Sequence, residues 1–372
     1  VWDEWGLQLA NGKPVGNLNN IATILESDPL FKGSIYYDQF LQRVIRINSP
    51  MREWGDADDL EATRYIQSEL GMLRISRDIV SQAVLNVAHK TPRNCVQEWL
   101  GSLQHDGTNR LESFFSDCFG AEQNDYTAAA SKNFWLSLVA RAMRPGCKVD
   151  NMIVLEGSQG VGKSSALGII GGDWFAEQHE SATNPRAFAE ILQGKLLIEV
   201  SEMDSFTKAE VNRVKQTISC QSDRFRASYG RHATDHPRTC IFVGTTNHDN
   251  WNRDETGARR FWPISCRGLI GLGAIREMRS QYFAEALSRY KQAEAHWEMP
   301  LELAQAEQEA RYQRDPWHNK VVESLKGKTH TTTEEILKDV GVDLTKQSKY
   351  EQMRVGQILR VLGWGRARRN VN

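Results

Sequence analysis

Residues 151–170, NMIVLEGSQGVGKSSALGII, join an apolar run to a helix-compatible segment through a glycine-rich turn, and few folds accommodate that arrangement. Gly157, four further residues, and then Gly162, Lys163 and Ser164 have the spacing of a phosphate-binding loop. Glycines let the backbone turn its N–H groups inward, and the helix that follows points the positive end of its dipole at the anion. The spacing predicts that Gly157, Ser158, Gln159, Gly160, Val161, Gly162, Lys163, Ser164 and Ser165 surround the phosphates of ATP or another nucleoside triphosphate. Lys163 is expected at the outer two phosphates, and the Ser164 hydroxyl on Mg²⁺.

Such a loop serves many chemistries, so the rest of the chain must narrow the choice. The second apolar element, LLIEVSEMD at 196–204, ends in acids, as a site that holds Mg²⁺ and activates water requires. Glu199, directly ending the LLI run, takes the metal-associated role, and Glu202 that of polarising the attacking water; on sequence alone the two are interchangeable. A third apolar run, TCIFVGTTN, ends in Asn247, an amide suited to orienting water or touching the γ-phosphate. Arg259 and Arg260, in TGARRFWPI, precede another apolar strand, and either suits an arginine that reaches a neighbouring subunit's γ-phosphate.

The alternation of short apolar strands with helices from about 148 to 266 signals an α/β fold with a parallel sheet and helices on both faces. Residues 1–147 read as a helical assembly domain, with Asn17 and Ser76 as helix caps and Gly71 and Gly120 as stops. Residues 148–315 form the ATPase domain with a helical lid, and Asp315-Pro316 marks its end. Residues 316–372 read as three helices, the last two opening with capping boxes Thr332-x-x-Glu335 and Ser348-x-x-Glu351. In the last, Val355, Ile358, Leu359 and Leu362 form the buried stripe, leaving Lys349, Arg354 and Arg360 outside it. That is a helix-turn-helix pattern suited to duplex DNA, with WGRARR as a short wing, hence a small winged-helix-like domain.

Bulk properties exclude several classes. A net charge of −1 argues against indiscriminate nucleic-acid coating, so positive charge must be local, as in RFRASYGRHATDHPR at 224–238 and in the C-terminal GRARRNVN. No apolar stretch approaches the ~18–20 residues of a membrane span and no signal peptide is visible, so a cytoplasmic protein with no membrane partner is expected. The six cysteines lie far apart, which suggests neither a zinc site nor a disulfide framework. The start at Val1 reads as a fragment, a processed product or an alternative start codon. No carboxylate cluster of the primase type is evident, so no polymerising activity is expected.

GSQGVGKS, LIEVSEMD, DRFRASYGR, FVGTTN and GARRFWPI, in this order between 157 and 264, together resemble the virulence-associated protein E family. These are ATPases of phages and pathogenicity islands, similar to superfamily 3 helicases within the AAA+ group. The resemblance implies a homo-oligomeric ring, usually a hexamer, in a bacterial host cell. It would hydrolyse ATP between subunits and move along single-stranded DNA while a mobile element replicates. It also implies a hairpin at about 220–238 that projects into the ring channel. Arg231 and His232 would lie at its tip, flanked by Arg224, Arg226 and Tyr229. Two other functions compete: an ATP-regulated initiator that binds duplex origin DNA through the tail, and an ATPase that remodels protein.

Overall fold

The structure is a computed structural model that describes all residues except 1, 3, 48–50, 179–184, 226–232, 250, 252–257, 312–314, 344–346, 366 and 368–372. Its centre is a five-stranded sheet of β1 (Met152–Glu156), β2 (Phe175–Gln178), β3 (Leu197–Val200), β4 (Ile241–Thr246) and β5 (Phe261–Ser265). The strand order is β5-β1-β4-β3-β2, and every neighbouring pair is parallel. β1, β3, β4 and β5 coincide with the apolar runs read from the sequence.

A parallel sheet is stable only when both faces are covered, and side chains on each strand alternate between two cores. Ile153 and Leu155 of β1 join one core, Met152 and Val154 the other; Val243 and Phe242 of β4 divide in the same way. The first core is filled by the long helix Asp125–Met143, by Cys95–Ser102 and Phe114–Phe119, and by Leu272–Lys291. At its heart Trp135 is fully buried, stacked on Tyr282 at 4.9 Å and edge-on to Phe114 and Phe283. The second face is covered by Pro185–Leu192 and Lys208–Ser219, with Phe188 stacked on Phe242. The core over the first face therefore runs from the helices after residue 95 into the sheet, across position 147.

The N-terminal part corrects the expectation of a helical domain. Among the described residues of 1–147 are six helices, Leu18–Ser27, Asp56–Ser68 and Arg77–Lys90 followed by the three from Cys95 to Met143, but also a short two-stranded sheet and a four-stranded one. Ile35–Asp38 and Arg43–Arg46 are its central antiparallel pair, flanked by Arg52–Glu53 and Pro92–Arg93. Tyr36 faces Ile45 and Tyr37 faces Val44, aromatic against β-branched side chains, the pairing that favours a sheet. The strands are two to four residues long, too short for an alternating pattern to register against the helices. Asn17 and Ser76 do cap their helices, accepting from Asn20 N and Ile79 N.

The tail packs His318–Leu325, Thr333–Val340 and Lys349–Val361 around Val321, Ile336, Leu337, Val355 and Ile358. Both expected capping boxes are present. Among the described residues after 316 there is no strand, so the wing is not seen there. Among the described residues, no helix is long and apolar enough to cross a membrane.

Trp135→Ala removes the ring on which Phe114, Phe134, Tyr282 and Phe283 pack. It is expected to lower unfolding free energy by about 3–5 kcal/mol, read as a lower midpoint of guanidinium unfolding with an unchanged slope.

Candidate functional site

The loop 157–164 connects the carboxyl end of β1 to the helix Lys163–Gly171. Two glycines make its path possible. A Cβ on Gly157 would stand 2.9 Å from the Cys266 carbonyl oxygen, and Gly162 caps the helix with φ 102°, a left-handed conformation that side chains disfavour. The helix has no side-chain N-cap, so its first N–H groups face the loop without a built-in acceptor from that residue.

Because β4 lies between β1 and β3, the ends of three strands converge beside this loop. Lys163 is buried, and its ammonium donates to the carbonyls of Gly157 at 2.5 Å and Ser158 at 3.0 Å and to Asn247 Oδ1 at 3.3 Å. Ser164 Oγ donates to Glu199 Oε1 at 2.7 Å, and Thr245 Oγ1 donates to the same oxygen at 2.7 Å. Glu199 is wholly buried, and its Oε2 has no hydrogen-bond partner among the described residues. A carboxylate oxygen left bare in the interior is costly. A hydroxyl and a carboxylate with a spare oxygen are the donor set a hard divalent cation takes, so Ser164 and Glu199 suit Mg²⁺.

Glu202 stands apart from this cluster. It is exposed, adopts left-handed φ 55°, and opens the short turn Met203–Ser205. It borders a cleft of about 570 Å³ between the ends of β2 and β3 and the helix Lys208–Ser219, with Glu177, Glu210 and Arg213 also on the wall. Arg259 and Arg260 lie on a 3-10 turn, Ala258–Arg260, leading into β5; Arg259 is exposed, whereas Arg260 Nε donates to Ser219 Oγ at 3.1 Å.

A junction on Glu156 was not anticipated. This last residue of β1 is 3% exposed and accepts from Trp251 Nε1 at 2.7 Å, Ser265 Oγ at 3.1 Å and Arg311 Nε at 2.8 Å. Burial pushes its carboxyl above the ordinary range, while Arg311, Trp251 and Ser265 pull it back. One side chain thus joins β1, the segment after β4, the end of β5 and the residue after helix Leu301–Ala310. An apolar run ending in an acid, the signal used for Glu199, was equally present in MIVLE. Thr245, which shares Glu199 Oε1, carried no signal of its own.

The basic segment forms an antiparallel hairpin of Ser222–Phe225 and Thr234–Pro237. Arg224 faces Asp235 at 3.4 Å, both exposed; Arg226, Tyr229, Arg231 and His232 lie outside the described residues. Arg238 turns inward, buried and paired through two hydrogen bonds to Asp223. In the tail, Lys349 and Arg360 are exposed. Arg354 is instead engaged, bonded to Asp315 at 2.7 and 2.8 Å and lying 4.1 Å over the Trp317 ring. All six cysteines are free thiols; burial pushes Cys240 up to about 11 and Cys266 to about 12.

These features define an α/β protein with a glycine-rich loop at the carboxyl edge of a parallel sheet and a buried acid beside it. A family model of the virulence-associated protein E-like domain matches residues 100–316, more than half of the chain, and the chain belongs to that family. A comparison with curated proteins found no match. Among solved structures, the apo structure of the NrS-1 C-terminal region (305–718) is similar with a TM-score of 0.51 and 14% identity, over 91% of this chain and 90% of that one. The A-form apo structure of that region gives 0.51 at 12% identity, over 95% and 92%. At such identities the likeness shows a shared fold.

Glu156→Ala takes one of two carboxylates from Arg311, which keeps Glu307 and Ser265, and leaves Trp251 Nε1 without its acceptor; it is expected to cost about 1–3 kcal/mol of stability. Glu156→Leu combined with Arg311→Met replaces the pair by apolar bulk and should recover most of it. Urea unfolding of the three proteins checks this, and a single substitution costing no more than the double one would overturn it.

Proposed function

We propose that this chain is an ATP hydrolase acting on DNA, a helicase or translocase for replication of a phage or other mobile element, hydrolysing ATP between the subunits of a ring. The observation that carries the reading is the convergence of Lys163 and Ser164 from one loop with Glu199 and Asn247 from two adjoining strands. Residues of this kind, from separate parts of the chain, are what phosphoryl transfer to water needs, since its catalysis is positioning and charge stabilisation.

Each residue has a role in that scheme. The backbone N–H groups of 157–164 and the Lys163 ammonium hold the phosphates, and Asn247 orients the outermost one or the attacking water. Ser164 and Glu199 would hold Mg²⁺, which would supply neutralising charge for the phosphoryl oxygens. The proton-accepting role falls to Glu202 at the exposed end of β3, outside the cluster, where the outermost phosphate would have to extend to meet it. Arg259 is the better placed of the two arginines to reach a neighbouring subunit, because Arg260 is tied to Ser219 within its own chain. The hairpin of Ser222–Phe225 and Thr234–Pro237 contacts single-stranded DNA, whose phosphates meet arginine side chains. Family membership adds support for a replication role.

Exposed Lys349 and Arg360 favour a second reading, an initiator that uses ATP for assembly and holds duplex origin DNA through the tail. It predicts that Lys349→Ala with Arg360→Ala weakens duplex binding while ATPase stimulated by single strands is unaffected.

Steady-state ATP hydrolysis, with and without single-stranded DNA and across protein concentration, separates the two. A ring motor shows stimulation that rises cooperatively with concentration. Lys163→Ala should lower turnover by roughly 10²–10³-fold or more, and normal turnover in that variant would sink the site assignment. Arg259→Ala should remove activity that mixing with the Lys163→Ala variant partly restores, since each supplies what the other lacks.

A further inference from the structure

We propose that Leu269 is the shelf on which the nucleobase of the bound triphosphate lies, an inference that rests on the nucleotide-site reading. The direction of the nucleotide follows from strand order. The metal-suited pair Ser164 and Glu199, with Asn247, marks the outer-phosphate end on the β4–β3 side of the loop. The inner phosphate, sugar and base then extend to the other side of β1, which is β5.

The chain leaving β5 is fastened to the loop there. Cys266 N donates to the Glu156 carbonyl at 2.7 Å, Ile270 N donates to the Val161 carbonyl at 3.0 Å, and Leu272 packs 3.6 Å from where a Gly162 Cβ would be. Between these anchors Gly268 turns with φ 85°, and Leu269 follows, 86% exposed. It is the most exposed large apolar side chain among the described residues, while its neighbour Ile270 is buried.

Its backbone is nevertheless held on both sides, since Arg267 N donates to the Phe119 carbonyl at 3.0 Å and Gly271 N to the Cys118 carbonyl at 2.8 Å. An exposed leucine on a loose loop needs no explanation. One presented on backbone anchored to the phosphate-side loop is preorganised to contact a flat apolar face without an ordering cost.

The test measures binding of ATP and of inorganic tripolyphosphate by titration calorimetry for the wild type, Leu269→Ser and Leu269→Met, together with KM and kcat. Leu269→Ser is expected to weaken ATP roughly fivefold to tenfold, raising KM with kcat unchanged, and to leave tripolyphosphate binding as it was. Leu269→Met should restore ATP affinity. Unchanged ATP affinity in Leu269→Ser overturns the shelf, as does an equal loss for tripolyphosphate, which would mean a damaged loop. A changed concentration dependence of ATPase with ATP affinity intact would assign Leu269 to a subunit contact and overturn it too. A wild type that binds neither ligand would instead remove the nucleotide site itself.

Discussion

A sheet of five parallel strands has no face it can leave to water, and that constraint organises most of this molecule. Each strand sends alternate residues into two cores, so the chain must supply helices on both sides. The connections between strands cover one face with Pro185–Leu192 and Lys208–Ser219. The other face takes one connection, Lys163–Gly171, and draws further on segments from beyond the sheet, Asp125–Met143 before it and Leu272–Lys291 after it. The aromatic group around Trp135 and Tyr282 is where those two helices meet, and it ties the chain on either side of the sheet into one core.

The same constraint places the chemistry. Strand interiors are dry, so polar side chains gather where strands end. Glu199 marks the limit: it sits on β3 inside the sheet, tolerated because two hydroxyls satisfy one oxygen. Its other oxygen has no partner among the described residues, a cost that structure elsewhere must offset and that a bound cation would relieve. Lys163 shows the complementary economy of parts, a buried cation whose protons are shared among loop carbonyls and the Asn247 amide.

Strands β1, β3, β4 and β5 were legible because each is an apolar run bounded by polar or glycine-containing segments, whereas the edge strand β2, Phe-Ala-Glu-Gln, leaves a weaker mark; the residues gathered at the loop were legible because a glycine spacing and strand-end acids and amides leave local marks. The small N-terminal sheet was not, since Arg52–Glu53 and Pro92–Arg93 are too short for any period and become strands only by pairing with residues brought close by folding. Arg354 was read as solvent-facing from helical spacing, which is blind to Asp315 and Trp317 on another segment. Glu156 failed for the same reason: its acid was visible, but its partners lie between 95 and 155 residues away in sequence.

That junction bears on how the molecule breathes. Local opening of a protein normally begins where few buried contacts cross between segments. Here four segments close on one carboxylate at the root of the loop, so none can peel away without exposing the charge the others neutralise. The amide hydrogens at the carboxyl ends of β1 and β5 should therefore exchange with solvent only on global unfolding, while the loop's outer rim, at Ser158 to Gly160, exchanges freely. A stiff root beneath an exposed rim lets the rim shift while the strand beneath it keeps its position.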